Sequence, residues 1–327
     1  MILVVTIAAL TALQCNAQQV AISGVSNFTF PTNQSPGYPR IAVGEVFYLF
    51  VQVDSERLLE QISIEQPVRT GDGWNTSVAG VSAKVTVRGF GDPTEYRLPI
   101  GSVTKVGCGL FNSTCNMLRV QAQFPVEAEA NNPGPFGPRP AIIGSIVVEI
   151  DGARSLPADA YIVPALGRVV GRCTGTVFPG DPCGQVFHAD GTEVSPARPA
   201  RAGDKLHFFA YGLGRTEPAV ASGEVAQEGL RPVSGVALIL DFARPFLPLL
   251  PGASSLQPQV QADSAELVPG EVGTYRVTFT MSQVPRDTGA CPSGGPPNSP
   301  ARANAAMTVY TAASRLLGDV AYFCVQP

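Results

Sequence analysis

The feature that most limits what this chain can fold into is a two-residue period of apolar side chains, repeated over many short stretches. Val81, Ala83, Val85 and Val87 alternate with Ser82, Lys84, Thr86 and Arg88, and Leu118, Val120, Ala122 and Phe124 alternate with Arg119, Gln121 and Gln123. Successive side chains of an extended strand point to opposite faces, so each run reads as a half-buried strand with one wet face. Val43 to Val53, Lys205 to Tyr211 and Tyr275 to Phe279 repeat the pattern. Ile146 to Ile150, Val236 to Phe242, Met307 to Tyr310 and Val320 to Val325 add further β-rich runs. No stretch keeps a helical apolar period over three turns; Ser55 to Ile64 comes nearest and reads equally well as one loop turn. The 34 glycines and 30 prolines are scattered without period, which fits many tight turns and excludes collagen. The chain is expected to be all-β.

At 327 residues, 45% hydrophobic and 15% charged, it has the apolar surface to fold and the length for two cores. Two landmarks recur in the same order. The run from Ala42 to Leu49 resembles that from Ala202 to Phe209, and Arg119 to Val126 resembles Arg276 to Met281 with Val284-Pro285 following. Asp151-Gly152 and Asp190-Gly191 supply the left-handed φ of tight hairpins. The expected architecture is two tandem immunoglobulin-like β-sandwich domains, 18–160 and 161–327, with a linker around Arg154 to Pro164.

Ile2 to Leu13 followed by Cys15-Asn16-Ala17 reads as a secretory signal peptide over residues 1–17, although Lys and Arg are missing ahead of the apolar stretch; a buried N-terminal strand is the competing reading. Its removal leaves Cys108, Cys115, Cys173, Cys183, Cys291 and Cys324, an even set in an exported chain. Proximity pairs Cys108 with Cys115, Cys173 with Cys183, and Cys291 with Cys324. No pair has C-x-x-C spacing, so neither a zinc site nor any other metal or cofactor is expected.

From Gly184 to Val225 the residues Gln185-Val186-Phe187-His188-Ala189-Asp190-Gly191-Thr192, Ala202-Gly203-Asp204, Tyr211-Gly212-Leu213-Gly214 and Glu217-Pro218 carry a resemblance. The chain resembles the tandem Ig-like C-terminal module of exported Acidobacteria (Solibacter-type) proteins. Insertions near Cys108 to Cys115 and Cys291 to Pro300, and a longer loop from Ala243 to Pro269, depart from it. The resemblance implies fold and export and brings no activity with it. Physically, Gly212 and Gly214 suit a sharp bend that tolerates no Cβ.

Known catalytic signatures are missing: there is no Gly-x-Ser-x-Gly elbow and no His-Glu-x-x-His, and the chain has two histidines. His188 reads as surface beside a turn, and His207 as an exposed residue on the polar face of its strand. The carboxylate pairs Glu127/Glu129, Asp151/Asp159 and Glu224/Glu228 read as solvated loop charge. A net charge of −4 without a basic block excludes nucleic acid as a partner. Trp74, in a polar loop, reads either as a ligand contact for sugar or protein or as a side chain folded over a core edge. Phe242, Phe246, Leu247, Leu249 and Leu250 form a proline-broken apolar loop, too interrupted to be a transmembrane helix, and read as buried between the domains. The leading functional expectation is a secreted or cell-surface, non-catalytic module that contacts an unidentified protein or polysaccharide. The alternatives are a carbohydrate-active hydrolase with its site at the domain junction and a subunit that assembles through strand edges.

Overall fold

The computed structural model describes residues 20–26, 39–54, 56–62, 73–89, 91–106, 116–128, 130, 142–171, 185–242, 259–292, 302–313 and 317–327. The first half holds β1 (Val20–Ser26), β2 (Arg40–Ala42), β3 (Val46–Val53), α1 (Glu56–Gln61), β4 (Ser77–Val78) and β5 (Val81–Arg88). It continues with β6 (Thr94–Arg97), β7 (Ile100–Lys105), β8 (Met117–Gln123), β9 (Ile143–Ile150), β10 (Ala153–Arg154) and β11 (Ala158–Val163). One sheet runs β1-β3-β8-β7; the other runs β2-β11-β9-β5-β4, with β10 on β9 and β6 on β5. Read as letters in chain order, these are the A-B-E-D and G-F-C-C′ sheets of an immunoglobulin sandwich, and β2 runs parallel to the last strand, β11.

The second half repeats this plan. Its strands are β12 (Arg168–Val170), β13 (Val186–His188), β14 (Ala200–Arg201), β15 (Lys205–Tyr211), β16 (Thr216–Glu217), β17 (Arg231–Pro232) and β18 (Val236–Asp241). They continue with β19 (Gln259–Gln261), β20 (Ser264–Leu267), β21 (Tyr275–Thr280), β22 (Ala305–Thr311), β23 (Leu317–Phe323) and β24 (Val325–Gln326). The sheets are β12-β15-β21-β20, with β13 also on β15, and β19-β18-β22-β23; β14 runs parallel to the terminal β24. Both halves are immunoglobulin-like sandwiches.

Each sandwich encloses its own core. Phe47, Leu49, Leu118, Phe124 and Ile146 lie in the first and Phe208, Val277, Phe279 and Met307 in the second, all fully buried. Burial of a side chain of this size contributes roughly 1.5–3 kcal/mol. The alternating runs set the faces: β5 buries Val81, Ala83, Val85 and Val87 and turns Ser82, Lys84 and Thr86 outward. The two repeated landmarks fall on equivalent strands, B (β3 and β15) and E (β8 and β21).

Several local expectations change. Val43 to Glu45 is a turn, because Gly44 at φ 73° reverses the chain and Glu45 N–H donates to Ala42 O at 3.1 Å. The Ser55 to Ile64 segment contains the short helix α1, whose Leu58 and Leu59 pack on the first core. Arg154 to Pro164 is not a linker: it supplies the end of β10 and the whole of β11, which pairs with β9 over Ala158 to Tyr161. The change between cores comes instead between Val163 and Arg168. The Asp151-Gly152 hairpin forms as expected, with φ of 46° and 85°.

Candidate functional site

The residues singled out in the sequence do not converge on one place. Trp74 is half-buried, its indole lying on the backbone of Gly101, where a Cβ would come within 2.5 Å of the ring. The Trp74 backbone N–H donates to Gly223 O at 2.7 Å, which ties this loop of the first sandwich to the second. Cys291 and Cys324 are disulfide-bonded, with Cα atoms 5.5 Å apart. Cys108, Cys115, Cys173 and Cys183 lie outside the described residues, as do residues 1–17 and most of the apolar loop; Phe242 itself packs against the second core.

His188 is not on the surface. It is buried, with Nε2 3.2 Å from Arg198 O and Nδ1 4.0 Å from Asp204. In the turn that follows, Asp190 is held well below the usual carboxylate range by hydrogen bonds from Thr192 and Arg198. His207 sits on a central strand and is half-buried in an aromatic trio, stacked on Phe187 at 5.5 Å and edge-on to Phe209 at 5.6 Å. Burial, and then Arg276, lower its pKa. Glu127 accepts from Ser222 N–H and Oγ, and Asp159 from Ser145 Oγ, so each belongs to a hydrogen-bonded contact.

The junction between the sandwiches does assemble charge, from residues the sequence reading passed over. Glu45, Arg168 and Asp319 are all buried. Arg168 Nη1 donates to Asp319 at 3.0 Å and Nη2 to Arg40 O at 3.1 Å. Its Nε lies 3.4 Å from Glu45 Oε1, a charge contact in which neither atom has a hydrogen-bond partner among the described residues. Glu45 Oε2 accepts from Ala42 N–H at 2.6 Å. Burial pushes the Glu45 carboxyl up to about 7, against the opposing pull of Arg168. Burial also works against the Arg168 charge, but Glu45 and Asp319 outweigh it and raise its pKa. Ala42, Val163 and Leu166 form a small apolar cluster beside these charges, and Gly212 approaches so closely that a Cβ would meet Leu166 O at 2.6 Å. Two buried carboxyl groups therefore share one guanidinium at the junction.

Elsewhere the junction is held by neutral and ionic hydrogen bonds. Arg215 donates to Val126 O and Ala128 O, both at 2.9 Å. Gly223 N–H donates across the junction to Gln123 Oε1 at 2.6 Å, and Gln123 Nε2 is held within the first sandwich by donating to Gly44 O at 3.3 Å. Backbone partners on both sides fix the relative placement of the sandwiches.

A second feature spans the junction. The outward face of β3 carries Tyr48 and Phe50, and the outward face of β15 carries His207, Phe209 and Tyr211. Arg119 lies over the Tyr48 ring at 5.4 Å, and Tyr211 is close enough to add to the rise in the Tyr48 pKa that burial causes. Phe50, Phe209 and Tyr211 are half-buried. A face normally left polar is thus aromatic on both B strands.

No protein-family model matches the chain, and no curated protein matches it. Among solved structures, bovine butyrophilin is 9% identical, with 88% of this chain and 96% of that one covered, at a TM-score of 0.20. The C-terminal domain of the Streptococcus agalactiae AgI/II polypeptide BspA is 10% identical, covering 92% of this chain and 98% of its own, at a TM-score of 0.16. The immunoglobulin-like assignment rests on the strand order described above. Among the described residues no helix is long and apolar enough to cross a membrane.

Proposed function

We propose that this chain is an exported, non-catalytic binding module that contacts polysaccharide or cell-envelope material at the cell surface. The observation that carries the reading is the aromatic outward face shared by β3 and β15. Half-buried Phe50, Phe209 and Tyr211 offer flat apolar rings with a polar rim of Arg119 and Arg276, a combination suited to stacking against sugar rings or protein surface. The fixed junction supports it, because one ligand chain then meets both halves of the face in a constant geometry. The disulfide Cys291–Cys324 supports export, since such bonds persist in oxidising compartments. Trp74, at another edge of the junction, is a proposed second contact.

The test is a quantitative pull-down of the full chain on cellulose, chitin and envelopes of the producing cell. A Phe209→Ser/Tyr211→Ser variant that retains the native circular dichroism should lose binding by about tenfold or more. Trp74→Ala should lose less. Absence of saturable binding to every matrix, or unchanged binding in the double variant, would overturn the reading.

A further inference from the structure

The other sheet of the first sandwich carries a cavity of about 330 Å³ on its outward side, in the size range of small ligand sites. It lies where β4 and β6 succeed one another along the same edge of β5. Lys84 and Arg97 are direct cross-strand partners and both line it, so two cations stand side by side. Like charges directly opposed destabilise a bare sheet. Glu95 takes Lys84 at 2.7 Å, and on the far wall Glu149 takes Arg154 at 2.9 Å. The Arg97 side chain is exposed and has no ion pair or hydrogen bond among the described residues. Ser77 and Ser82, register partners on β4 and β5, bring hydroxyls to the same space.

We propose that this groove binds a sugar acid of the hexuronate class, with its carboxylate on the Arg97 guanidinium and its hydroxyls on Ser77, Ser82 and the Glu149–Arg154 pair. The wall chemistry selects this class. A planar guanidinium takes a carboxylate through two parallel hydrogen bonds. The two glutamates accept from sugar hydroxyls and disfavour a dianion such as phosphate. The lining holds no aromatic ring, so neutral sugars that depend on stacking are poorly served. A net charge of −4 over the whole chain gives polyanions no diffuse attraction, so binding must come from the local site. The proposal is independent of the aromatic face, which belongs to the opposite sheet.

The experiment is calorimetric titration of the full chain with galacturonate, with trigalacturonate and with the methyl-esterified trimer. Saturable binding of the acid forms is expected, weaker by about tenfold or more for Arg97→Ala and not recovered by Arg97→Lys, which cannot make the paired contact. Equal affinity for monomer and trimer assigns the site to a free sugar acid, and tighter binding of the trimer assigns it to a polymer chain. Equal binding of the neutral ester, no effect of Arg97→Ala in a variant with unchanged thermal midpoint, displacement by equimolar inorganic phosphate, or no binding at millimolar concentration would each overturn the proposal.

Discussion

The two sandwiches enter their B strands through the same turn, and that turn has a different physical character in each. In the first, Gly44 at φ 73° precedes Glu45; in the second, Gly203 at φ 87° precedes Asp204. Glu45 accepts from Ala42 N–H at 2.6 Å and Asp204 from Arg201 N–H at 2.8 Å. Phe124 N–H donates to Glu45 O and Met281 N–H to Asp204 O, both at 2.8 Å. The backbone pattern is shared, but the Asp204 side chain is 36% exposed while Glu45 is sealed under the second sandwich. A carboxyl that caps a turn in water becomes, at the junction, a buried group whose ionised form depends on Arg168. Local turn chemistry and domain docking thus place opposing demands on one side chain.

Removing the cation should expose the difference most strongly. Arg168→Met leaves Glu45 and Asp319 buried without it and is expected to cost about 3–5 kcal/mol in urea unfolding. The exposed turn at Asp204 has no equivalent sensitivity.

The pH dependence comes next. Glu45 has a folded pKa of about 7 against an ordinary 4.5, so between those values the folded chain holds a proton that the unfolded chain has released. The stabilisation linked to that proton is complete below the unfolded value and is lost as pH rises through the folded one. It amounts to about 3 kcal/mol. Unfolding free energies from urea titrations across this window should fall with rising pH in the natural chain and fall less, by that amount, in Glu45→Gln. An unchanged slope in Glu45→Gln would mean that Glu45 stays ionised.

The glycines sharpen the contrast further. A Cβ at Gly44 would meet Val126 at 2.9 Å, whereas one at Gly203 meets nothing within 4 Å. Both need a left-handed backbone, so Gly203→Ala should cost about 1 kcal/mol and Gly44→Ala about 2–3 kcal/mol by thermal melting. The smallest effect is expected of Asp204→Asn itself, at or below about 1 kcal/mol, since its partly solvated cap is replaced by a neutral one.

Much of the strand framework is written into local pattern. The two-residue period marks β5, β8, β15 and β21, and the match of Ala42–Leu49 with Ala202–Phe209 marks equivalent B strands. Proximity sufficed for Cys291 and Cys324. Other features depend on distant partners and leave no local trace. Glu45 follows a glycine in its turn as its exposed counterpart Asp204 does, and its burial follows from residues beyond Val163. Lys84 and Arg97 become neighbours through register, which the spacing of a loop does not reveal. Strand β11 follows Pro157 and begins with Ala-Asp-Ala, a weak β signal that its place beside β9 overrides. His188 sits beside a turn that suggests exposure, yet Arg198 and Asp204, distant by ten and sixteen residues, come up against its ring.

The parallel pairing of β14 with the terminal strand β24 bears on how the molecule is made. The first sandwich has all its strands once Val163 has left the ribosome, whereas the second waits for Gln326. Arg168 is translated 151 residues ahead of its partner Asp319. The strand order thus leaves the first sandwich with all its pairing partners in hand while the second still lacks its own, and Glu45 can be covered only once Arg168 and Asp319 have been brought together.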